Sequence, residues 1–241
     1  YHIDEDKLDK AQLSEFQNRD VYVDFYHVIS EKTKEQIRFL TDKPIQSIPF
    51  WVNQNIWFEI EDKDNLKKKY GIDKETYCIG SFQRDTEGSD LITPKLSKGP
   101  DRLVKIIDRL KDKHEKIEVI LTGKRRNYVI TELEKKNIKY KYFEMVDFSK
   151  INELYNLLDL YIVSSRFEGG PQSILECAAT KTPIISTDVG IAKEILNVGS
   201  IFNMENFLDA KADVEYAYKN VEKFFIPNGI ENFNNYFKSL L

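Results

Sequence analysis

The sequence contains few of the residues that build cross-linked or fibrous proteins. Two cysteines, seven prolines and ten glycines occur among its 241 residues. Cys78 and Cys177 are too few for a disulfide framework, and they do not have the spacing of metal ligands. The apolar runs are short, far below the roughly 20 residues that a membrane-spanning helix needs. These scarcities exclude a disulfide-rich scaffold, a collagen-like chain and a bundle of membrane-spanning helices.

An excess of charge of one sign is missing as well. The 36 basic and 40 acidic residues leave a net charge of −4, so we expect no nucleic-acid partner. The histidines His2, His27 and His114 have no metal-ligand spacing, and we interpret His27 as packed within a strand. The chain is rich in apolar material instead, with 41% hydrophobic and 12% aromatic residues. That is enough for the core of one large domain or one and a half smaller ones.

From residue 77 onward, short apolar segments alternate with helical patterns. Strands are predicted at 77–81, 117–121, 139–143, 160–164, 183–186 and 200–202. The intervening helices are predicted at 101–111, 127–136, 151–158, 171–180 and 191–196. This alternation predicts right-handed crossovers and a doubly wound parallel sheet, an α/β fold with both faces covered by helices.

The flanking regions have a different pattern. Before the alternation we predict a strand at 21–29, a helix at 31–40 capped by Ser30, an extended segment at 45–52 and a charged helix at 59–69. After it we predict two helices, at 206–225 and 228–241, which are separated by a break at 227–229.

Ligands of open α/β sheets bind beyond the carboxyl ends of the strands. The segments at those ends are GSFQRDTEG from Gly80 and Ser81, TGKRR with Gly123, SSRFEGGPQ, and TDVG from Thr187. All of them combine glycine or hydroxyl residues with charged ones, which is the composition of a nucleotide site. Thr187, Asp188 and Gly190 are expected near the sugar.

The stretch SSRFEGGPQSILE, residues 164–176, carries the strongest signal. Its two glycines, Gly169 and Gly170, permit a close approach of a ligand to the backbone. Pro171 suits a helix start, and the amides of Gly170, Gln172 and Ser173 are then expected to point toward phosphate or sugar oxygens. Glu168 precedes the helix, and Glu176 lies within it, where a carboxylate can accept hydrogen bonds from a vicinal diol.

This stretch, with the following TPIISTDVG, resembles the donor-binding signature of retaining glycosyltransferase family 4. That family has the GT-B fold, which consists of two Rossmann-like domains. CIGSFQRD followed by SKGPDRLVKIIDRL resembles the first strand, basic loop and "KG" helix of the family. LTGKRR and NELYNLLDLYIVSS resemble its later elements. The resemblance covers residues 77–200 and, more weakly, 21–55.

The resemblance implies roles for individual residues. Glu168 would be catalytic, near the transferred sugar, and Glu176 would hold the ribose hydroxyls. Arg84 and Lys98 would neutralise the donor diphosphate without a metal or other cofactor, because fixed cations stabilise the charge on the leaving group. The segment 144–147, with Met145 and Val146, would hold the nucleobase.

Several basic residues are open alternatives. The loop that begins at Ser81 is longer than is usual in the family, so Arg102 or Lys95 is an alternative phosphate ligand. Residues 124–126 are read either as phosphate ligands or as a solvated helix start. Arg166 is expected to pair with Glu168 or to contact phosphate.

The chain begins at Tyr1, and we expect a fragment of a longer protein. The resemblance divides it into a remnant of the N-terminal acceptor domain (1–57), a donor-binding Rossmann-like domain (58–225) and a helix returning toward the N-terminal domain (226–241). Trp51, Trp57 and Phe58 are expected to expose apolar surface there, which would suit a homodimer contact.

The expected function is transfer of a sugar, with retention of configuration, from a nucleoside-diphosphate donor to a sugar, glycan or lipid-linked acceptor in carbohydrate biosynthesis. We expect this chain to carry mainly the donor-binding half and not to complete the transfer alone. We expect a cytoplasmic location, with the inner face of a membrane reached through the missing domain. A non-catalytic nucleotide-sugar binding module and another GT-B enzyme, such as a nucleotide-sugar epimerase, remain alternatives.

Overall fold

The computed structural model describes residues 9–240. The strands β1 to β8 are Tyr26–Val28, Ile45–Ser47, Tyr77–Ser81, Ile117–Thr122, Lys139–Phe143, Leu160–Val163, Ile184–Thr187 and Ile201–Phe202. The helices α1 to α10 are Lys10–Asp20, Glu31–Arg38, Lys63–Lys69, Pro100–Lys111, Asn127–Lys135, Phe148–Asn156, Gln172–Ala179, Ala192–Ile195, Val214–Val221 and Asn228–Ser239. His2, Leu241 and the outer ends of the two terminal segments predicted from the sequence lie outside the described residues.

Strands β3 to β8 form one six-stranded sheet in the order β5-β4-β3-β6-β7-β8. Every neighbouring pair is parallel. The chain starts in the middle at β3, winds outward to β5, and then crosses to β6, so the direction of winding reverses between β3 and β6. This is the order of a doubly wound Rossmann-like sheet, and the predicted α/β fold class is confirmed.

The sheet is buried on both faces, as parallel sheets are. Within β6, Tyr161 and Val163 point into one core, which is shared with helices α3, α6, α7, α8 and α9. Leu160 and Ile162 point into the opposite core, which is shared with α4 and α5. Because successive side chains of a strand alternate between faces, one apolar run supplies both cores.

The N-terminal segment forms a small unit of its own. Strands β1 and β2 pair in parallel, and the side chain of Ser30 caps α2 by accepting from the Thr33 amide, as predicted. The strand predicted at 21–29 is too long: only Tyr26–Val28 is a strand, because α1 runs to Asp20 and the next residues turn. Similarly, the helix predicted at 59–69 begins at Lys63, after its cap Asp62.

The helix predicted at 206–225 is also wrong over its first half. The Asn203 and Asn206 side chains bond nearby backbone amides and hold a turn there. Asp213 then caps α9, which covers Val214–Val221. The last predicted helix is present as α10, and Phe233 of α10 packs against His27 and Trp51.

Trp57 does not expose apolar surface. It is 8% exposed and packs edge-on against Phe148 and Tyr155. The prediction fails because the residues that follow β2 return to the main core, where Val52 and Trp57 are buried. Trp51 and Phe58 are exposed, as expected.

Candidate active site

A cavity of about 790 Å³ opens at the carboxyl ends of β3 and β6, where the winding of the sheet reverses. This is the position at which doubly wound folds bind ligands. Eleven of the fifteen predicted site residues line it: Lys98, Gly123, Met145, Val146, Glu168, Gly169, Gly170, Pro171, Gln172, Ser173 and Glu176. The cavity has a polar half, around Gln83, Lys98 and Glu168, and an aromatic half, around Trp57, Phe148, Tyr155 and Glu176.

Glu168 and Lys98 face each other in the polar half. Lys98 Nζ lies 2.5 Å from Glu168 Oε1, and Ser165 Oγ donates to the same oxygen at 3.0 Å. The Glu168 side chain is 7% exposed, so the carboxylate is nearly enclosed and charge-balanced by one ammonium group. A fixed ammonium group can stabilise negative charge that develops on a leaving diphosphate, and a fixed carboxylate can stabilise positive charge that develops on a sugar.

Gly99 allows Lys98 to reach this position. Gly99 has a φ of +64°, and a Cβ atom there would lie 1.9 Å from the Ser164 carbonyl oxygen. In turn, Ser164 Oγ donates to the Gly99 carbonyl at 2.9 Å, and the Arg166 amide donates to the Ser97 carbonyl. The Leu96–Lys98 turn is therefore tied to the loop that follows β6, which is why a lysine–glycine pair stands before α4.

The N-terminal segment forms a wall of the cavity and holds the glycine pair. Ser30 Oγ donates to the Gly169 carbonyl at 2.9 Å, and a Cβ atom on Gly170 would lie 2.7 Å from Ile29 Cδ1. Thr33, which also lines the cavity, donates to the same carbonyl. The close approach explains the need for glycine at position 170, and the partner is protein rather than ligand.

Glu176 lies in the aromatic half, on the first turns of α7. Its carboxylate accepts a hydrogen bond from Tyr155 Oη at 2.6 Å. Burial raises the pKa of Glu176 above its usual value, and the Tyr155 hydrogen bond opposes this rise. The carboxylate thus sits at the edge of an apolar compartment, and an ionised carboxylate can accept hydrogen bonds.

The loop after β5 closes the aromatic half. Glu144, Met145 and Val146 line the cavity there, next to Phe148 at the start of α6. Thr122 Oγ1 donates to the Phe143 carbonyl at 2.6 Å, which ties the end of β4 to this loop. A backbone edge beside apolar side chains is the arrangement that a nucleobase needs.

Four predicted residues do not line the cavity. Arg84 is exposed, and its Nε donates to the Thr86 carbonyl. Gly80 makes room for Leu158, because a Cβ atom there would lie 2.2 Å from that side chain. Ser81 is buried in β3, and the Thr187 hydroxyl donates to the Ser165 carbonyl at 2.6 Å. Gly80, Ser81 and Thr187 therefore support the fold around the site.

The other basic residues pair within the protein. Arg126 is fully buried and forms an ion pair with Asp85 at 3.1 Å, so it is neither a phosphate ligand nor solvated. Burial raises the pKa of Asp85 to about 6, and Arg126 opposes that shift. The Arg166 guanidinium donates two hydrogen bonds to the Asp101 carboxylate rather than pairing with Glu168. Buried charge requires a partner, and the sequence pattern did not reveal which.

The remaining alternatives also lie outside the cavity lining. Lys95 and Arg102 do not belong to the lining residues, and neither does Asp188, whose carboxylate pairs with Lys193 at 2.7 Å. Gly190 packs against Gly169. A Cβ atom on Gly190 would lie 2.6 Å from the Gly169 carbonyl oxygen.

Several lining residues were missed from the sequence. They are His27, Phe50, Trp57, Phe82, Gln83, Tyr155 and Tyr161. His27 lies in strand β1 and packs against Phe233, in line with its interpretation as a packed strand residue, but it is exposed and also lines the cavity, with Nε2 2.9 Å from the Ile48 carbonyl oxygen. Gln83 adjoins the predicted Arg84, so the basic loop did carry a signal. The aromatic residues carried none, because a buried ring in a cavity wall has the same sequence pattern as a core residue.

Two further features concern chemistry and location. None of the helices between residues 9 and 240 is both long and apolar enough to cross a membrane. Over the same range, no group of three or more His, Cys, Asp or Glu side chains is placed to hold a metal ion. That the reaction proceeds without a metal stays a prediction.

Two curated proteins are similar in sequence. The chain is 26% identical over 190 residues to the O-antigen chain mannosyltransferase RfbU of Salmonella typhimurium. The aligned residues cover 72% of this chain and 52% of the relative. It is 28% identical over 145 residues to the lipopolysaccharide core biosynthesis mannosyltransferase LpsB of Rhizobium meliloti, covering 58% and 39%. The chain therefore spans about half or less of the length of these relatives.

Solved structures share the fold. Anabaena Alr3699/HepE in complex with UDP and glucose superposes with a TM-score of 0.78 at 13% identity, over 98% of this chain and 69% of that chain. Sucrose-phosphate synthase from Thermosynechococcus elongatus gives 0.77 at 13% identity, over 99% and 63%. The pattern described as glycosyl transferases group 1 matches residues 62–229, which is well over half of the chain and includes the Lys98, Glu168 and Glu176 region. The chain belongs to the glycosyl transferases group 1 family.

Proposed function

We propose that this chain forms the donor-binding half of a glycosyltransferase, which moves a sugar from a nucleoside diphosphate to an acceptor. The observation that carries the proposal is the meeting of Lys98 and Glu168 at the sheet edge, in one cavity with Glu176. The HepE structures with UDP and with UDP-glucose support a nucleotide-sugar donor.

The proposed chemistry follows from the charges in the polar half. When the bond between the sugar and the diphosphate breaks, negative charge grows on the leaving oxygen. Lys98 and the amides of Gln172 and Ser173 at the start of α7 would stabilise it, since a helix N-terminus favours anions. Glu168 would stabilise the positive charge that develops on the sugar while the acceptor hydroxyl attacks, replaces the bond to the diphosphate and passes its proton to the departing diphosphate oxygen. We assign the diphosphate contact to Lys98 rather than to Arg84, which lies on the same loop but outside the lining.

Finer features belong to the same proposal. The names of both curated relatives, mannosyltransferases, support a hexosyl donor. We infer transfer with retention of configuration and without a metal, onto a sugar, glycan or lipid-linked acceptor.

Residues 58–225 would be the donor domain, with 1–57 and 226–241 belonging to the side of the acceptor domain. We place the protein in the cytoplasm, at the inner face of a membrane, with Trp51 and Phe58 as a contact between two copies.

Titration calorimetry with UDP, GDP and ADP tests the proposal. Wild-type protein is expected to bind one of them in the presence of EDTA, and Lys98→Met to weaken that binding at least tenfold, the size of about one charge-assisted hydrogen bond. Lys95→Met is the matched control, because Lys95 is on the same loop but outside the cavity, and its affinity should match wild type. No binding of any of the three at millimolar concentration would overturn the proposal.

Release of the nucleoside diphosphate from its sugar donors separates the enzyme from its alternatives. Slow release, with water as the acceptor, is expected from an active transferase. Nucleotide binding without release from any donor would leave a non-catalytic binding module. Conversion of the donor to its epimer would instead identify a nucleotide-sugar epimerase.

A further inference from the structure

We propose that Tyr155 is a positioning residue that makes the cavity select ribonucleotides over 2′-deoxyribonucleotides, because its hydroxyl group orients the Glu176 carboxylate. The inference rests on the proposed function and names a determinant of donor specificity within it. Tyr155 Oη and Glu176 Oε2 are 2.6 Å apart, and both side chains line the aromatic half of the cavity. Hydrogen bonds to ionised groups are about twice as strong as those between neutral groups.

The phenol ring has little freedom to move. Tyr155 is 2% exposed, and its ring centroid lies 4.8 Å from that of Phe82 and 5.4 Å from that of Tyr161. Trp57 packs edge-on against it at 5.8 Å. Because three rings hold the phenol in place, its hydroxyl group donates to Glu176 from a fixed direction.

The Tyr155 hydroxyl group also remains a hydrogen-bond donor. Burial, followed by the adjacent Glu176 carboxylate, raises the pKa of Tyr155 well above its usual value. The phenol therefore keeps its proton throughout the neutral range, and it presents that proton to Oε2. An ionised carboxylate can only accept hydrogen bonds, so Glu176 is kept as an acceptor with a fixed orientation.

The second carboxylate oxygen is what a ligand would meet. Within residues 9–240, Tyr155 is the one hydrogen-bond partner of the Glu176 side chain. A carboxylate offers about four acceptor sites, so Oε1 and the remaining lone pair of Oε2 are left for two adjacent hydroxyl groups of a ligand. Ribose offers two adjacent hydroxyl groups, whereas 2′-deoxyribose offers one. A site built to bind a hydroxyl group rejects a ligand that lacks it, since a buried acceptor is then left unpaired.

The opposing explanation is that the bond only ties α6 to α7. In that case, removing it would lower stability and leave the preference for ribose intact. The ratio of the two dissociation constants, 2′-deoxyribonucleotide over ribonucleotide, separates these explanations, because a general loosening affects both ligands alike.

The test is calorimetric titration of the full chain with UDP, GDP and ADP and with their 2′-deoxy counterparts. For wild type we expect a ratio of at least about ten. Tyr155→Phe should bring the ratio to within about threefold of one. Tyr70→Phe is the matched control, since Tyr70 Oη also donates to a glutamate, Glu153, at 2.6 Å but lies outside the cavity; its ratio should equal that of wild type.

A wild-type ratio near one, or an unchanged ratio in Tyr155→Phe, would overturn the inference while leaving nucleotide binding in place. Failure of wild type to bind any of these nucleotides would instead overturn the proposed function, and the inference with it.

A second variant covers the case in which Tyr155→Phe does not fold. The double variant Tyr155→Phe/Glu176→Gln leaves no charge buried without its donor. If Tyr155 acts only through the carboxylate, the ratio of the double variant equals that of Glu176→Gln within about twofold, because effects that share one contact are not additive. A larger difference between the two would contradict the inference.

Discussion

The two halves of the cavity hold a glutamate in different ways. In the polar half, Glu168 stands on a loop and is balanced by the ammonium group of Lys98. In the aromatic half, Glu176 stands on a helix and is bound by a neutral phenol. A compensated charge on a loop suits a step in which charge moves, whereas a carboxylate fixed beside rings suits recognition of a nucleoside. The difference suggests that the polar half governs rate and the aromatic half governs affinity.

The largest expected effect comes from removing the ion pair beneath the polar half. Arg126→Met leaves Asp85 buried without its positive partner, and it also removes the donor to the Gln83 carbonyl. We expect the free energy of unfolding in urea at pH 7 to fall by about 3–5 kcal/mol. Lys124→Met, two residues earlier and exposed, should change it by less than about 0.5 kcal/mol.

The deficit of Arg126→Met should also depend on pH. The pKa of Asp85 in the folded protein is about 6, above its ordinary value of 3.8, so the carboxyl is protonated in the folded state at pH 4. No unpaired charge is then buried, and the deficit at pH 4 should be smaller than at pH 7. An equal deficit at both values would show that Asp85 does not cause it.

Exchanging each glutamate for glutamine tests the division between rate and affinity. Glu168→Gln should slow release of the nucleoside diphosphate at saturating donor by about 10²–10³-fold, the usual cost of removing one group that stabilises a transition state. Its affinity for the nucleoside diphosphate should not fall, since Lys98 is freed from its partner. Glu176→Gln should show the reverse pattern, with weaker binding and a nearly unchanged rate at saturation.

These paired measurements of release rate and calorimetric affinity serve as controls for each other. If both variants lost rate and affinity to the same extent, the comparison between the halves would fail.

The smallest expected effect concerns the aromatic wall. Phe148 lines the cavity and is 64% exposed, so Phe148→Ala should leave stability within about 0.5 kcal/mol of wild type. It should weaken nucleoside diphosphate binding roughly tenfold, because a base stacked on an aromatic ring is stabilised by about 1–3 kcal/mol. Phe39→Ala, also exposed but outside the cavity, is the control in calorimetry and thermal unfolding. Equal affinities for the two variants would remove Phe148 from the site.

Much of the site was predictable from local patterns. The EGGP turn follows a strand and opens a helix, and such an order places Glu168 and Glu176 at the ligand edge of a parallel sheet. Lys98 was predicted from the resemblance of SKGPDRLVKIIDRL to the family's "KG" helix, and the structure shows that the glycine after it has a left-handed backbone. Arg84 and Arg126 carry the same charge near the same edge, yet neither side chain lines the cavity. Their sequence context does not specify where a long side chain turns.

The order of strands and helices, the doubly wound sheet and the loops that meet at its edge could all be predicted from the amino-acid sequence. Those properties depend on hydrophobic periodicity and turn residues within short stretches. Three contacts could not be predicted in this way: Tyr155 binds Glu176, Arg126 is buried with Asp85, and Ser30 holds Gly169 across 139 residues of chain. Each contact joins two segments that are far apart in the sequence, and the pattern within one segment does not identify the other. Burial and the choice of partner arise only when separate elements pack together.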